Sequence, residues 1–311
     1  MKKIKLFLLS VASLLLVSAC GTTETVPLTG RKHQVSSNYS NAQMLSLGSQ
    51  EYTKFMSTAQ KSTDVANSAM VQRVGERLSK AVTSYLNSHG YASDASSFQW
   101  EFNLVQSKEA NAWCLPGGKI VVYEGLLPYT KNETALAIVL GHEIAHAVAK
   151  HSAEQLTKQS NQNVLTQVVG TAGQMMGGTI VQAGASVAGK YAFPLMNLKY
   201  SRSNETEADY MGLIFAAMAG YNPEEAIPFW KRMSSGSNSS DFFSDHPSDE
   251  KRIAALEQHM PEAKKYYDAA VAAGNQAIKP VTKKTTTKTR SKKTTSKRKS
   301  TAKKSSSTRR K

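Results

Sequence analysis

His142-Glu143-Ile144-Ala145-His146 is the segment whose residue types and spacing most directly imply chemistry. Two histidines at i and i+4 on a helix lie roughly 40° apart around the axis and about one turn apart along it. Their imidazoles can converge on one cation, with zinc–nitrogen distances near ~2.0–2.1 Å. Glu143 follows His142 directly, so it can reach a water on the metal without being a ligand. Zinc lowers the pKa of such a water toward ~7, and a carboxylate beside it takes the proton. The chemistry on offer is metal-assisted hydrolysis. Leu136, Ile138, Val139 and Leu140 before the segment, with Ala145, Ala147 and Val148 in and after it, fit a buried helix.

Two histidines leave a zinc site incomplete, and two conventions compete for the third ligand. The metzincin pattern needs Gly at 149 and His at 152; this chain has Ala149 and Ser152. His151 is nine residues from His142, which on one continuous helix puts it on the opposite face, as a surface or supporting residue rather than a ligand. The other convention takes a glutamate from a later helix, and Ser201-Arg202-Ser203-Asn204-Glu205-Thr206-Glu207-Ala208-Asp209 offers one. Glu205 and Asp209 are i and i+4 and share a face. Glu205 is the candidate ligand, and Asp209 the candidate acceptor for the free N–H of a ligand histidine, a bond that fixes tautomer and orientation. Ala208 is small enough for close helix–helix approach. Glu207 reads as a solvated acid at a helix N-terminus, favoured by the dipole.

The elements that must hold these residues give an α+β reading, mostly helical with a small sheet beside the zinc-binding helix. Apolar residues recur at helical spacing in 41–60 (Met44, Leu47, Tyr52, Phe55) and 63–88 (Met70, Val74, Leu78, Val82, Leu86). Phe98, Trp100, Phe102 and Leu104 alternate with polar neighbours, so 98–106 reads as a half-buried strand. A Gly117-Gly118 turn precedes a second strand, Ile120 to Tyr123. No proline interrupts 131–158, which reads as one long helix starting at a Thr130/Glu133 capping box or at its rival cap, Asn132. Ser160 to Gly189 carries no charge and reads as a lid or buried helix. Helices are expected over 202–219, 223–234, 248–259 and 262–273, with a loop at Ser234 to Ser240.

The ends of the chain differ from its middle. Lys2, Lys3 and Lys5, an apolar run from Leu6 to Val17, and Val17-Ser18-Ala19-Cys20 read as a lipoprotein signal peptide over 1–19, with Cys20 as the lipidated first mature residue. Several acyl chains on one residue would anchor it stably to a membrane. Residues 20–40 read as that lipidated N-terminus and a tether, 41–278 as the catalytic domain, and 279–311 as a disordered basic tail. Of the 39 Lys and Arg, 15 lie in the tail, where there is no acid, so the net charge of +16 says nothing about the site. The tail has no aromatic residue for base stacking, which argues against nucleic acid; binding of envelope polyanions or simple solvation remain open for it. The other cysteine, Cys114, has no partner once Cys20 is acylated, and reads as a small buried hydrophobe.

HEIAH, then SRSNETEAD, then Asp245-His246-Pro247 together resemble the gluzincins of peptidase family M48, which include CAAX prenyl endopeptidases, the HtpX membrane protease and lipid-anchored envelope proteases of the BepA and LoiP type. The segment from Asn111-Ala112-Trp113-Cys114 through Tyr123 resembles the family's strand and turn before the zinc helix, and the likeness spans about residues 25–260. The resemblance implies one Zn2+ per chain on His142, His146 and Glu205, with Glu143 as general base and Asp209 behind a ligand histidine. It makes His246 a candidate electrophile that stabilises an oxyanion or caps the zinc. Asn111, Ala112 and Trp113 would lie on the edge to which substrate adds as a strand. The expected function is a zinc endopeptidase of a bacterial envelope, periplasm-facing and placed at the outer rather than the inner membrane, that cuts unfolded or misassembled envelope proteins. The alternative is a chaperone-like assembly factor whose metal site is mostly latent. The chain departs from the family in its basic tail, and it lacks the transmembrane helices of the prenyl endopeptidases.

Overall fold

The computed structural model describes residues 21–162, 195–235 and 250–275. The expected signal peptide and lipidated Cys20, the charge-free segment beyond residue 162, His246 and the basic tail lie outside them. The described residues fold as α+β, mostly helical with two small sheets.

The chain starts with a hairpin where a tether was expected. Strands β1 (Gly21–Thr25) and β2 (Lys32–Ser36) pair antiparallel. Leu28 and Gly30 take positive φ in the connecting turn. The polar composition of this stretch hid a period-2 pattern: His33 and Val35 point inward while Lys32 and Gln34 face solvent. Val26 and Val35 join the core.

Helix α1 (Asn41–Met56) begins at Ser40, whose N–H donates to the side chain of Gln43. Helix α2 (Val65–Ser88) is capped by the Asp64 carboxylate, which accepts from Asn67 N at 3.0 Å. Its buried face is Val71, Val74, Leu78, Val82 and Leu86, one stripe at three- and four-residue spacing. A three-stranded sheet follows: β3 (Glu101–Val105), β4 (Ala112–Leu115) and β5 (Lys119–Tyr123), in the order β3-β5-β4. The central strand β5 is buried throughout, parallel to β3 and antiparallel to β4. The expected strand over 98–106 is shorter, because Phe98 and Trp100 stack on each other at 4.5 Å before the ladder begins. Gly117 and Gly118 both take positive φ in the β4–β5 turn, and a Cβ on Gly118 would meet the Trp100 ring at 2.6 Å.

The single long helix expected over 131–158 is two helices. With the short Ala92–Ser97 helix numbered α3, helix α4 spans Glu133–Val148 and takes Asn132 as its cap, the Asn132 side chain accepting from Ala135 N at 2.8 Å. Thr130 instead donates to Leu127 O, so the Thr130 capping box does not form. The expected helix over 131–158 breaks after Val148: Lys150 adopts φ 56°, and α5 begins at residue 151 and is described to residue 162. Lys150 is held there by Glu24 at 2.9 Å and Asp94 at 3.0 Å.

Helix α6 (Arg202–Met218) is capped by Ser201 and is followed by α7 (Ala226–Ser235) and α8 (Glu250–Ala272). Two helices were expected across the last span, but α8 carries Pro261 inside it. Leu256 and Ala263, on either side of the proline, both bury in the same core. That packing outweighs the helical bond the proline removes, a loss of about 3 kcal/mol. Among the described residues no helix is long and apolar enough to cross a membrane.

Helices α4 and α6 cross at two glycines. A Cβ on Gly141 would lie 2.6 Å from the carbonyl oxygen of Gly212, and one on Gly212 would lie 2.6 Å from the backbone nitrogen of His142. The two backbones therefore touch, and nothing larger than hydrogen fits between them. The Gly141→Ala substitution must push the helices apart, and overpacking of this kind costs about 1–3 kcal/mol. Thermal unfolding should register it as a midpoint lower by roughly 2–4 °C for each kcal/mol. An unchanged midpoint would mean that the helices are not in backbone contact.

Candidate metal centre

The glycine crossing brings the side chains within a turn or two of it on each helix face to face. His142, Glu143 and His146 come from α4, and Glu205 and Asp209 from α6. His142 Nε2 lies 3.1 Å from His146 Nε2. Glu205 Oε2 lies 3.4 Å from His142 Nε2, and Glu205 Oε1 lies 3.4 Å from His146 Nε2. Among the described residues, His142, His146 and Glu205 are the one group of His, Cys, Asp and Glu placed to share a metal ion. All three are 1% exposed, so water cannot screen the charge that gathers there.

Asp209 stands behind His142, its Oδ1 3.0 Å from Nδ1. The same carboxylate receives Arg252 Nε at 2.6 Å and Nη2 at 2.7 Å, a forked pair. Arg252 Nη1 also lies 3.3 Å from Glu205 Oε2. One guanidinium on α8 therefore holds both Asp209 and Glu205 of α6, and it stacks over the Trp230 ring of α7 at 4.5 Å. Trp230 in turn approaches the His142 ring edge-on at 6.0 Å. Burial would raise the Asp209 pKa, but the Arg252 charge and hydrogen bonds, with those of His142, lower it overall. Burial would likewise lower His142, but the Asp209 and Glu205 carboxylates outweigh it and raise the imidazole to about 9. The pocket draws positive charge to the His142 imidazole.

Glu143 opens onto a cleft walled by Asn111, Ala112 and Trp113 on one side and by Leu195, Met196, Leu198 and Tyr200 on the other. Strand β4, which carries Ala112 and Trp113, ends the sheet on this side. Tyr200 stacks on the His146 ring with centroids 4.0 Å apart, and its hydroxyl pairs with Ser152 Oγ at 2.9 Å. Burial, with Glu143 and Glu205 nearby, pushes the Tyr200 phenol well up, so it stays protonated. The backbone N–H of Leu195 donates to the Glu51 carboxylate, which fixes that wall to α1. Cys114 is a free, buried thiol, its pKa raised by burial and by the Glu143 charge.

The structure thus brings together His142, His146, Glu205, Asp209, Glu143 and the 111–113 edge. His246 and Cys20 lie outside the described residues. Two expectations need correction. Glu207 is not a solvated acid: it is 8% exposed and bonded to His151 Nε2 at 2.9 Å. His151 does not face away from the site, because the helix break at Lys150 turns it back until its Nδ1 lies 2.9 Å from His146 Nδ1. Sequence reasoning missed Arg252, which no spacing rule connects to HEIAH, and Tyr200. It also missed Gly141 and Gly212, although a glycine inside a helical pattern is a signal of close approach.

Residues 66–260 match the sequence profile described as Peptidase family M48. The chain is 37% identical over 179 residues to the mitochondrial metalloendopeptidase OMA1 of Schizosaccharomyces pombe, covering 55% of this chain and 50% of that protein. It is 34% identical over 223 residues to the OMA1 of Arabidopsis thaliana, 70% of this chain and 42% of the relative. To the Beta-barrel assembly-enhancing protease of Escherichia coli it is 30% identical over 183 residues, 56% of this chain and 38% of that one. The chain spans about half the length, or less, of these curated relatives. With the matched region running from α2 through the glycine crossing to Arg252 and the first part of α8, the chain belongs to peptidase family M48.

Proposed function

We propose that this chain is a zinc-dependent endopeptidase, lipid-anchored through Cys20 in a bacterial cell envelope, that cuts unfolded or misassembled proteins there. One observation carries the peptidase reading: two imidazole Nε2 atoms and one carboxylate converge beside Glu143, in a cleft edged by a sheet strand.

The donor set fits zinc. A carboxylate accepts hydrogen bonds and does not donate them, so Asp209 requires the proton of neutral His142 to sit on Nδ1. The Nε2 of His142 then presents a lone pair, and it faces the oxygens of Glu205, which are also acceptors. Acceptors turned toward one another in a buried site need a cation between them: a proton on the imidazole, which its raised pKa favours in the absence of metal, or a metal ion that takes the proton's place. Two nitrogens and an oxygen bound tetrahedrally at ~2.0–2.1 Å would be roughly 3.3–3.4 Å apart, close to the spacings of 3.1 Å and 3.4 Å seen here. His142, His146 and Glu205 would hold the zinc, which when bound would supply Lewis acidity to polarise a carbonyl and lower the pKa of water.

The remaining work falls to the chain itself. Glu143 takes the proton of the attacking water on its carboxylate and returns it to the leaving amine. Strand β4 offers its outer edge to the substrate backbone as an added strand. Tyr200 and Trp113 line the cleft as apolar walls. His246 is retained as the electrophile on the resemblance to the family alone.

The envelope reading is supported by the lipoprotein-type sequence ending at Cys20 and by the likeness to the Escherichia coli protease. The mitochondrial relatives share the same region, so the N-terminal segment argues for the compartment and the metal centre does not. A second reading, an assembly factor with a latent site, is favoured by Leu195 and Met196 packing in one cluster with Trp113 and Leu115 of the cleft.

The purified full chain should contain one zinc and cleave casein. The Glu143→Gln variant should keep its zinc and lose about 10²–10⁴-fold in rate. Zinc-free wild-type protein, or equal cleavage by the variant, would falsify the peptidase reading; a cellular defect rescued by Glu143→Gln would favour the assembly factor. Asp209→Ala should weaken zinc binding about 10–100-fold in a chelator competition. Undiminished affinity would remove Asp209 from the site.

A further inference from the structure

His142 takes its orientation from Asp209 directly, and His146 turns its Nδ1 toward a different kind of group. Its Nδ1 meets another imidazole, His151 Nδ1, at 2.9 Å. Two facing imidazole nitrogens make a hydrogen bond only if one of them carries a proton and the other does not. Which one carries it is decided at the far side of His151. There Nε2 lies 2.9 Å from Glu207 Oε2. Glu207 already accepts Arg31 Nε at 2.7 Å on that oxygen and Thr29 Oγ1 at 2.6 Å on the other, so it is an ionised acceptor. His151 must therefore donate from Nε2. In the neutral ring its Nδ1 is left with a lone pair and accepts the proton of His146 Nδ1. His146 is then bare at Nε2, the atom that faces Glu205.

We infer that Glu207 and His151 are positioning residues for His146, setting its tautomer so that the Nε2 lone pair faces the metal centre, and that Arg31 of the β1–β2 hairpin holds this pair in place. The inference rests on the proposed zinc site and deepens it. The arrangement is built rather than incidental, because His151 is fully buried and Arg31 is itself clamped. Its guanidinium forks onto Glu154 at 3.1 Å and 2.8 Å while its Nε serves Glu207. Glu154 also takes His33 Nδ1 at 2.8 Å, Asn204 Nδ2 at 3.0 Å and Lys158 Nζ at 2.6 Å. Hairpin, α5 and α6 thus meet on one buried network. The bland alternative is that this network only glues the hairpin to the helices. In that case the direction of the His146–His151 bond has no consequence for the metal.

Two measurements on the full chain separate the cases. The first is nitrogen NMR of the histidine rings in metal-free protein, at a pH where His146 is neutral. The expected result is His146 protonated on Nδ1 and bare on Nε2; the opposite tautomer overturns the inference, whether or not the chain binds zinc. The second is zinc affinity by chelator competition. His151→Leu removes the acceptor and should weaken binding about 10–100-fold. His151→Asn places a side-chain oxygen near the lost Nδ1 and should restore affinity to within a few-fold of wild type. Equal affinities for wild type and His151→Leu, or equal losses in both variants, overturn the inference. Wild-type protein that binds no zinc while showing the expected tautomer would instead sink the proposed function and leave the tautomer assignment standing. If His151→Leu fails to fold, the ring spectrum of the wild type still decides.

Discussion

The backbone contact between Gly141 and Gly212 is the constraint on which the rest of this molecule depends. A histidine on one helix and a glutamate on another share a metal ion only if the helix axes come unusually close. Side chains of ordinary size hold helices 8–10 Å apart. Two glycines remove that spacer at one point, and the ligands sit within a turn or two of it: His142 beside Gly141, and Asp209 and Glu205 three and seven residues before Gly212. The all-round apolar character of α4 follows from the same demand. A helix that carries a metal site in the middle of a fold has neighbours on every side, and its residues Ala135 through Ile144 are buried without a break.

Closing polar groups into such a core carries a cost, and the chain offsets part of it by pairing the acids around the site with arginines. Arg252 neutralises Asp209 and Glu205 together, and its stacking on Trp230 covers the guanidinium face. Its fork fixes the Asp209 plane, the plane fixes the His142 ring, and the ring fixes where the Nε2 lone pair points. Lysine at this position would keep the charge and lose the fork. On the other side, the network of Arg31, Glu154 and Glu207 ties the N-terminal hairpin to α5 and α6. The hairpin is therefore part of the folded body that carries the candidate metal centre and not a leash for it, and the residue proposed to carry the lipid, Cys20, directly precedes its first strand in sequence.

Much of this was legible in the sequence, for reasons tied to particular residues. HEIAH and Glu205/Asp209 obey i, i+4 spacing, which is a property of any helix and survives whatever surrounds it. The stripes of α2 and the run of β5 are equally local. What failed was information held between elements. The helix from 131 to 158 looked continuous because no proline or glycine marks its break, whereas the structure ends it by pinning Lys150 in a left-handed conformation with Glu24 and Asp94. Assuming one helix put His151 on the wrong face, and left Glu207 without its partner. Arg252 was invisible because its partners lie some forty residues upstream on another helix. The hairpin was taken for a tether because its composition is polar, although its alternation was present to be read.

The central claim is that the α4–α6 crossing assembles a zinc site from two imidazoles and one carboxylate. X-ray absorption spectroscopy of the zinc-loaded full chain tests it most directly, because it reports the ligand atoms themselves. The account predicts a first shell of nitrogen and oxygen only, at about 2.0–2.1 Å, with the outer scattering of two imidazole rings. A sulfur scatterer at about 2.3 Å, pointing to Cys114, or the signature of a single imidazole would contradict it.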